Sequence, residues 1–509
     1  MRIEELLLDE KLKKDSFRII DENKEWKLTE LGERVLCLKS VLTGRGIKPL
    51  DNVAVICENG AAFFVAVLAV LTAGAVAVPV DPQLPLNMTV EMLKKCGVKC
   101  ICISGVRPEK NFLVSKDNGM PDEFDILCES AGSWAESYTS SNPKNAGKAV
   151  IPDNSPALIL FSSGTSGTPK GVVLSHSAVI SNVEAIVDCF KPDDSDIFYL
   201  AKTMVHASTL IGEMLVALKV GAATIALNPV VPASTTLKRI EMLKPTFICV
   251  NPTILRLLLQ AKSRDYDVSS VRVLYSCGAV AEKDLLLEAE KLFINAHVLN
   301  VYGLTEAGPR VTAQIGDNTE RRPGCAGKPI SGVEVIIKNN ENEICKTGEI
   351  GEIYVKSPAL MLGYYGDPQA TDEKIKDGWL KTGDLGYFCN NGEIFIIGRA
   401  DDIIVRGAHN IDPNRIESVV RKLEDIEDCI VFGVQDYIHG NKVVCAFQKK
   451  ANSTISRQDI FNQCTGLLAP YEYPQEIYEW THIPKTANGK VSRKLAVQYY
   501  NDFRIETKS

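Results

Sequence analysis

The run LILFSSGTSGTPKG at residues 158–171 carries two signals in succession. Leu158–Phe161 is uniformly apolar, as a strand buried on both faces must be. It stops at Ser162, and hydroxyls, glycines and one lysine follow. Such a loop offers backbone N–H groups and hydroxyls to phosphate oxygens, and Lys170 adds charge. It is not a Walker A loop, which needs glycine directly before the lysine, where Pro169 stands. A Ser/Gly linker has a similar composition. Linkers seldom follow a buried strand so abruptly, however, and here a helical pattern resumes at Ser175.

The same alternation extends outward from this run. Residues 53–56, 76–80, 100–104, 157–161, 222–227, 247–250, 271–276 and 297–302 read as strands, and helical patterns such as 235–243 and 282–293 lie between them. This implies α/β layers with mostly parallel sheets. Residues 131–154 read as a linker between α/β halves at 1–155 and 156–323. Short strands at 332–338 and 349–356, and a hairpin at Asn391-Gly392, mark a β-rich subdomain over 324–398 that completes an N-terminal domain of 1–398. A strand–helix–strand pattern then implies a small α+β C-terminal domain over 399–509. Residues 61–80 hold no charge and are long enough to span a bilayer. The break at 72–74 divides them instead into a helix and a buried strand.

Composition narrows the class. The chain has 509 residues, 45% hydrophobic and 24% charged, which fits a globular protein of more than one domain and excludes collagen, coiled coil and wholesale disorder. A net charge of −7 argues against a nucleic-acid binder. Fifteen scattered cysteines without a disulfide-like framework imply reduced thiols and a cytoplasmic setting. Cys96, Cys100 and Cys102 lack zinc spacing and read as buried apolar residues.

Three further motifs carry chemistry. In VYGLTE (301–306) a strand end presents Tyr302, able to stack on a base, and Glu306, able to hold Mg²⁺ beside phosphate. A glutamate after a strand is more often a solvated turn. In GWLKTGD (378–384) and IGRAD (397–401), Asp384 suits a ribose diol and Arg399 can donate to sugar or phosphate oxygens; alone, each is as often mere surface charge. In IPKTANGK (483–490) a Pro/Asn-Gly turn presents Lys490, the kind of residue that usually only solubilises a loop.

Taken in order, these motifs resemble the superfamily of AMP-forming acyl/aryl-CoA synthetases, peptide-synthetase adenylation domains and luciferases, over nearly the whole chain. The resemblance implies ATP, Mg²⁺ and CoA, or a carrier protein's phosphopantetheine, acting on a small-molecule carboxylic acid. It makes Ser162, Ser163, Gly164, Thr165, Ser166, Gly167, Thr168 and Lys170 the loop that clasps the phosphates of ATP. Tyr302, with Gly303, Gly278 and Ala279, lines the adenine slot. Thr305 touches phosphate, Glu306 binds Mg²⁺, and Asp384 and Arg399 hold ribose. Lys490 bridges the reacting carboxylate and the α-phosphate. Asp401 is the hinge on which the C-terminal domain turns to bring Arg406, Gly407 and Ala408 to the site for the thiol step.

The resemblance also narrows the acid. Relatives that activate amino acids pair the substrate ammonium with a buried aspartate, and the matching segment TMVHAST (203–209) has no acidic residue, so an ordinary α-amino acid is not expected. His206 falls where acyl- and aryl-acid ligases often place a pocket histidine, with Ser276 and Cys277 beside it; a core imidazole is the ordinary alternative. The segment 406–417 has CoA-ligase spacing, with Ala408 where a second glycine is common and Arg415 where glutamate is common. CoA is the expected acceptor and an acyl carrier protein the rival. A non-catalytic nucleotide sensor is the remote alternative, and a hydrolase is disfavoured because no GxSxG elbow occurs. No fused carrier domain and no membrane span are expected.

Overall fold

The computed structural model describes residues 1–8, 16–104, 125–128, 151–162, 170–229, 231–261, 266–279, 281, 283–314, 324–406, 409–436, 440–485 and 491–506. The linker expected at 131–154 lies mostly outside them.

Two large sheets dominate. The first has seven strands in the order Gly363–Tyr364, Lys170–Ser175, Pro156–Ser162, Val76–Pro79, Asn52–Cys57, Cys100–Ser104, Asp125–Cys128. Asn52–Cys57 is buried at every position, which explains the unbroken apolar run from Val53. The uncharged segment from residue 61 divides as its composition implies, into helix Ala61–Thr72 and strand Val76–Pro79. Both are core, and among the described residues no helix is long and apolar enough to cross a membrane. A strand that sequence reading overlooked, Lys170–Ser175, pairs antiparallel with Pro156–Ser162, so that Lys170 stands opposite Ser162. Ser175 then caps helix His176–Phe190 by accepting from the Ala178 N–H.

The second sheet is 14-stranded. Its parallel part runs through Arg18–Ile20, Ala223–Ile225, Ile197–Tyr199, Phe247–Val250, Val273–Ser276 and His297–Tyr302. It continues without interruption into antiparallel strands Thr312–Ala313, Cys325–Pro329, Ile394–Arg399, Trp379–Phe388, Gly351–Lys356 and Glu334–Lys338. The β-rich unit is thus an extension of the parallel sheet. The two sheets also exchange strands across the boundary expected at 155/156. Arg18–Ile20 lies in the second sheet, while Pro156–Ser162 and Lys170–Ser175 lie in the first. Apolar runs identify strands but not which sheet each one joins.

Beyond Arg399 the chain builds a hairpin (Ile404–Arg406 with His409–Ile411), helix Pro413–Val420 and a three-stranded sheet of Ile426–Asp436, Gly440–Lys449 and Glu476–Glu479. Helices Arg457–Leu467 and Arg493–Glu506 cover it. Two apolar clusters of its own hold this unit together, one around Ile416, Val431 and Phe447, the other around Phe432, Trp480 and Tyr500.

Candidate active site

A cleft of about 2820 Å³ opens where the parallel strands end. Asn251, Cys277, Gly278 and Tyr302, which line it, sit at or just past the carboxyl ends of adjacent strands, where open α/β sheets bind ligands. The facing wall comes from the C-terminal unit, with Asn414, Glu417, Arg421, Lys485 and residues 491–495 among its residues.

One end of the cleft is a hydrogen-bonded polar wall. Asp384 and Arg399 stand opposite each other on neighbouring antiparallel strands. Arg399 Nη1 donates to Asp384 Oδ1 at 3.1 Å, and the Tyr302 hydroxyl donates to Oδ2 at 2.5 Å. The Asp384 N–H donates to Thr382 Oγ1 at 3.0 Å. Burial pushes the Tyr302 phenol well up, and the Asp384 carboxylate adds to the shift, so Tyr302 remains a donor. Gly303 follows because nothing larger fits: a Cβ there would lie 2.3 Å from the Pro309 carbonyl oxygen. Thr305 and Glu306 start the next turn, and Glu306 Oε1 accepts from the Tyr364 hydroxyl at 3.1 Å. Lys170 Nζ lies 4.9 Å above the Tyr364 ring. Sequence reading missed Tyr364, and also Lys374, a cleft residue whose ammonium is pulled down by burial and by nearby Arg399.

The other end is different in kind. His206, Cys277, Gly278 and Ala279 line the cleft, whereas Ser276 is fully buried behind it and does not. Below them lies a cluster that sequence reading missed. Lys202 (9% exposed) and Arg310 (1%) are cleft residues, and Glu213 (1%) lies behind them. Lys202 Nζ is 3.2 Å from Glu213 Oε2 and donates to Cys249 Sγ at 2.6 Å. Arg310 Nη2 contacts the same sulfur at 3.4 Å, its Nη1 donates to the Pro309 carbonyl at 2.9 Å, and its guanidinium stacks 4.9 Å over the Tyr275 ring. Burial pushes Glu213 up to about 7, against the opposing pull of Lys202 and then Arg310. Glu213 belongs to a π-helical turn, Leu210–Leu215, one turn beyond the acid-free segment 203–209. A signal was present in the sequence: Lys202 ends the run IFYLA, and Glu213 interrupts an apolar run from 210 to 218.

Several expected site residues lie outside the described residues: Ser163, Gly164, Thr165, Ser166, Gly167, Thr168, Gly407, Ala408 and Lys490. Of Ser162 only its place at a strand end is described. What brackets them is described. Ser162 and Lys170 pair across residues 163–169, and Lys485 and Val491, paired across residues 486–490, both line the cleft. Asp401 is exposed at the cleft edge, while Arg406 does not line it. Beside Asp401, Asp402 accepts from Arg493 at 3.2 Å, and Arg493 also reaches Asn414 and Glu417, tying the first turn past Arg399 to the C-terminal unit.

Glu306 supplies one carboxylate at the cleft. Magnesium commonly takes only one or two carboxylates and fills its sphere with phosphate and water, so the donor set fits that ion.

Residues 10–365 match the family model of the AMP-binding enzymes, and residues 415–490 match the model of their C-terminal domain. The chain is 28% identical over 497 residues to an oxalate–CoA ligase of Arabidopsis thaliana, covering 93% of each chain. It is 27% identical over 465 residues to a 4-coumarate–CoA ligase of Nicotiana tabacum, covering 88% of this chain and 85% of that one. Its fold is similar to that of ATP-bound MatB from Rhodopseudomonas palustris, with a TM-score of 0.88 at 25% identity over 99% of this chain and 100% of that one. With both family models matched in order and the cleft built as described, the chain belongs to the AMP-binding enzymes and is an AMP-forming acid–thiol ligase.

Proposed function

We propose that the protein activates a free carboxylic acid with ATP and Mg²⁺ and passes the acyl group to the thiol of CoA. The observation that carries this reading is the Tyr302–Asp384–Arg399 wall beside Glu306, facing the pair Lys485 and Val491 that brackets Lys490. A carboxylate oxygen attacks the α-phosphorus of ATP, and the bond to pyrophosphate breaks with its electron pair. The CoA sulfur then attacks the acyl carbon and AMP departs. Asp384 receives the ribose hydroxyls, Arg399 holds Asp384 in register, and Tyr302 packs on the base. Thr305 and the 162–170 loop take the phosphates. Magnesium held by Glu306 supplies charge neutralisation at the phosphates. Lys490 offsets repulsion between carboxylate and phosphate with a compact positive charge.

In this reading residues 1–398 bind the nucleotide and acid. Residues 399–509 turn about Asp401 between the two steps, exchanging Lys490 for the 406–408 segment. The test is ATP–pyrophosphate exchange across aryl, short-chain, long-chain and amino acids, followed by AMP release with CoA or with a phosphopantetheinylated carrier protein. Exchange with a free acid and AMP release on adding CoA support the reading. Nucleotide binding without exchange for any acid would move the protein to the class of nucleotide sensors. AMP release with the carrier protein alone would reassign the acceptor.

A further inference from the structure

We propose that the acid activated here is a dicarboxylic acid, and that Arg310, with Lys202 beside it, receives the distal carboxylate at the floor of the cleft. This rests on the acid-activating reading above and adds the class of acid.

The floor carries two cations against one carboxylate. Glu213 is within ion-pair distance of Lys202 alone, and among the described residues no carboxylate lies within 4.0 Å of the Arg310 guanidinium. The contacts of Arg310 include a carbonyl, a sulfur and the Tyr275 ring with its phenol, Glu213 acts on it only from beyond ion-pair distance, and its buried Nε has no hydrogen-bond acceptor. The shared sulfur does not balance the charge. Burial and then Cys277, 3.2 Å away, push the Cys249 thiol up, so it stays protonated. A guanidinium buried without an anion is costly, and its planar fork matches a carboxylate in two parallel hydrogen bonds. Gly212 packs directly against the guanidinium, where a Cβ would come within 3.2 Å of Nη2.

Side-chain neighbours distinguish this site from the polar wall: the Arg310 backbone packs against Gly303, but its guanidinium turns to Cys249 and the Tyr275 ring. Arg399 and Lys170 already supply positive charge at the polar wall, whereas Arg310 sits with Lys202, Cys277 and Cys249 at the end where His206 lines the cleft. A substrate ammonium would meet two cations there, and a plain hydrocarbon tail would leave Arg310 buried without an anion. A second carboxylate supplies one.

The test pairs each linear diacid from malonate to suberate, and phthalate, with its own monomethyl ester in ATP–pyrophosphate exchange. At least one diacid should exceed its ester in kcat/KM by on the order of a hundredfold. In Arg310→Met that ratio should fall to about one, and Arg310→Lys should restore part of it. Esters that equal or exceed their diacids in the wild type overturn the proposal, as does a ratio that survives in a folded Arg310→Met protein. The wild-type comparison needs no variant. If no acid supports exchange, the acid-activating reading fails separately, and calorimetric titration of the diacids into the AMP-saturated full chain decides this one. Diacid binding that is lost in Arg310→Met upholds the anion site. Equal binding of diacid and ester, or no diacid binding, overturns it.

Discussion

The two ends of the cleft are built by opposite means. At the end proposed to hold the nucleotide, Tyr302, Asp384 and Arg399 satisfy one another with directed hydrogen bonds on adjoining strands. At the end proposed to hold the acid, Lys202, Glu213 and Arg310 are packed against sulfur and an aromatic ring, and positive charge exceeds negative. A polar wall completed from within can serve a ligand whose chemistry never varies. A floor with surplus charge is completed by a particular substrate and thereby selects it. The expected consequence is that changes at the first end slow every acid alike, while changes at the second alter the choice among acids.

The largest test of that division is Lys490→Ala. Adenylate formation from acid and ATP should fall on the order of a thousandfold for every acid accepted, because a charge aimed at the reacting groups is lost. CoA attack on a supplied acyl-adenylate should change less than about tenfold, since in this reading the lysine is withdrawn by then. Single-turnover measurements of the two half-reactions check this, and equal losses would remove Lys490 from its assigned role.

The acid end can be probed without a substrate, through stability. Glu213 faces Lys202, Arg310 and Cys277, and burial raises it to about 7 from an ordinary 4.5. Between those values the folded chain keeps a proton that the unfolded chain has released. Stability must therefore fall as pH rises through that window and level off outside it. The contribution is about 3 kcal/mol. Urea unfolding of the wild type and Glu213→Gln at pH 4.5, 5.5, 6.5 and 7.5 isolates the effect: the wild type should lose stability relative to the variant as pH rises. Parallel curves would mean that Glu213 titrates alike in the folded and unfolded chain, so that at neutral pH its full negative charge stands against Lys202 and Arg310.

This contrast also explains what could be read before folding. That the residues of the polar wall would come together was legible because they lie in short contiguous runs, where a strand end and the turn after it present side chains in fixed order: Tyr302 to Glu306, Thr382 to Asp384. Most strands were legible from apolar runs for the same local reason. The acid end draws Lys202, Glu213, Cys249 and Arg310 from four separate segments, and only the sheet order makes them neighbours. Tyr364 was illegible in the same way, since it reaches Glu306 through a two-residue strand joined to the other sheet. The exchange of strands across residue 155 had no local signature either, because pairing partners are set by packing between distant segments.

In the proposed reading, Asp384→Asn should raise the KM for ATP by roughly thirtyfold, since the ribose hydroxyls would lose a charged acceptor and Arg399 its partner. The ranking of acids should not move. Exchange assays with ATP varied at saturating acid, repeated for three acids, give both readouts. A reordering of the acids would show that the two ends are coupled and that the division drawn here is too sharp.

The smallest effect separates two contributions at one residue. The Tyr364 hydroxyl donates to Glu306, while its ring lies beneath Lys170. Tyr364→Phe removes only the first. Losing one hydrogen bond to a carboxylate at a half-exposed site should raise the Mg²⁺ concentration for half-maximal exchange by about three- to tenfold. Tyr364→Leu also removes the aromatic face under the ammonium, worth about another 0.5–1 kcal/mol, and should act on the KM for ATP. Magnesium titrations of both variants distinguish the two. If Tyr364→Phe is silent and only the leucine variant is impaired, the orientation of Glu306 does not depend on its hydroxyl partner. The nucleotide end would then be held at this point by packing around Lys170, as the acid end is by packing around Arg310.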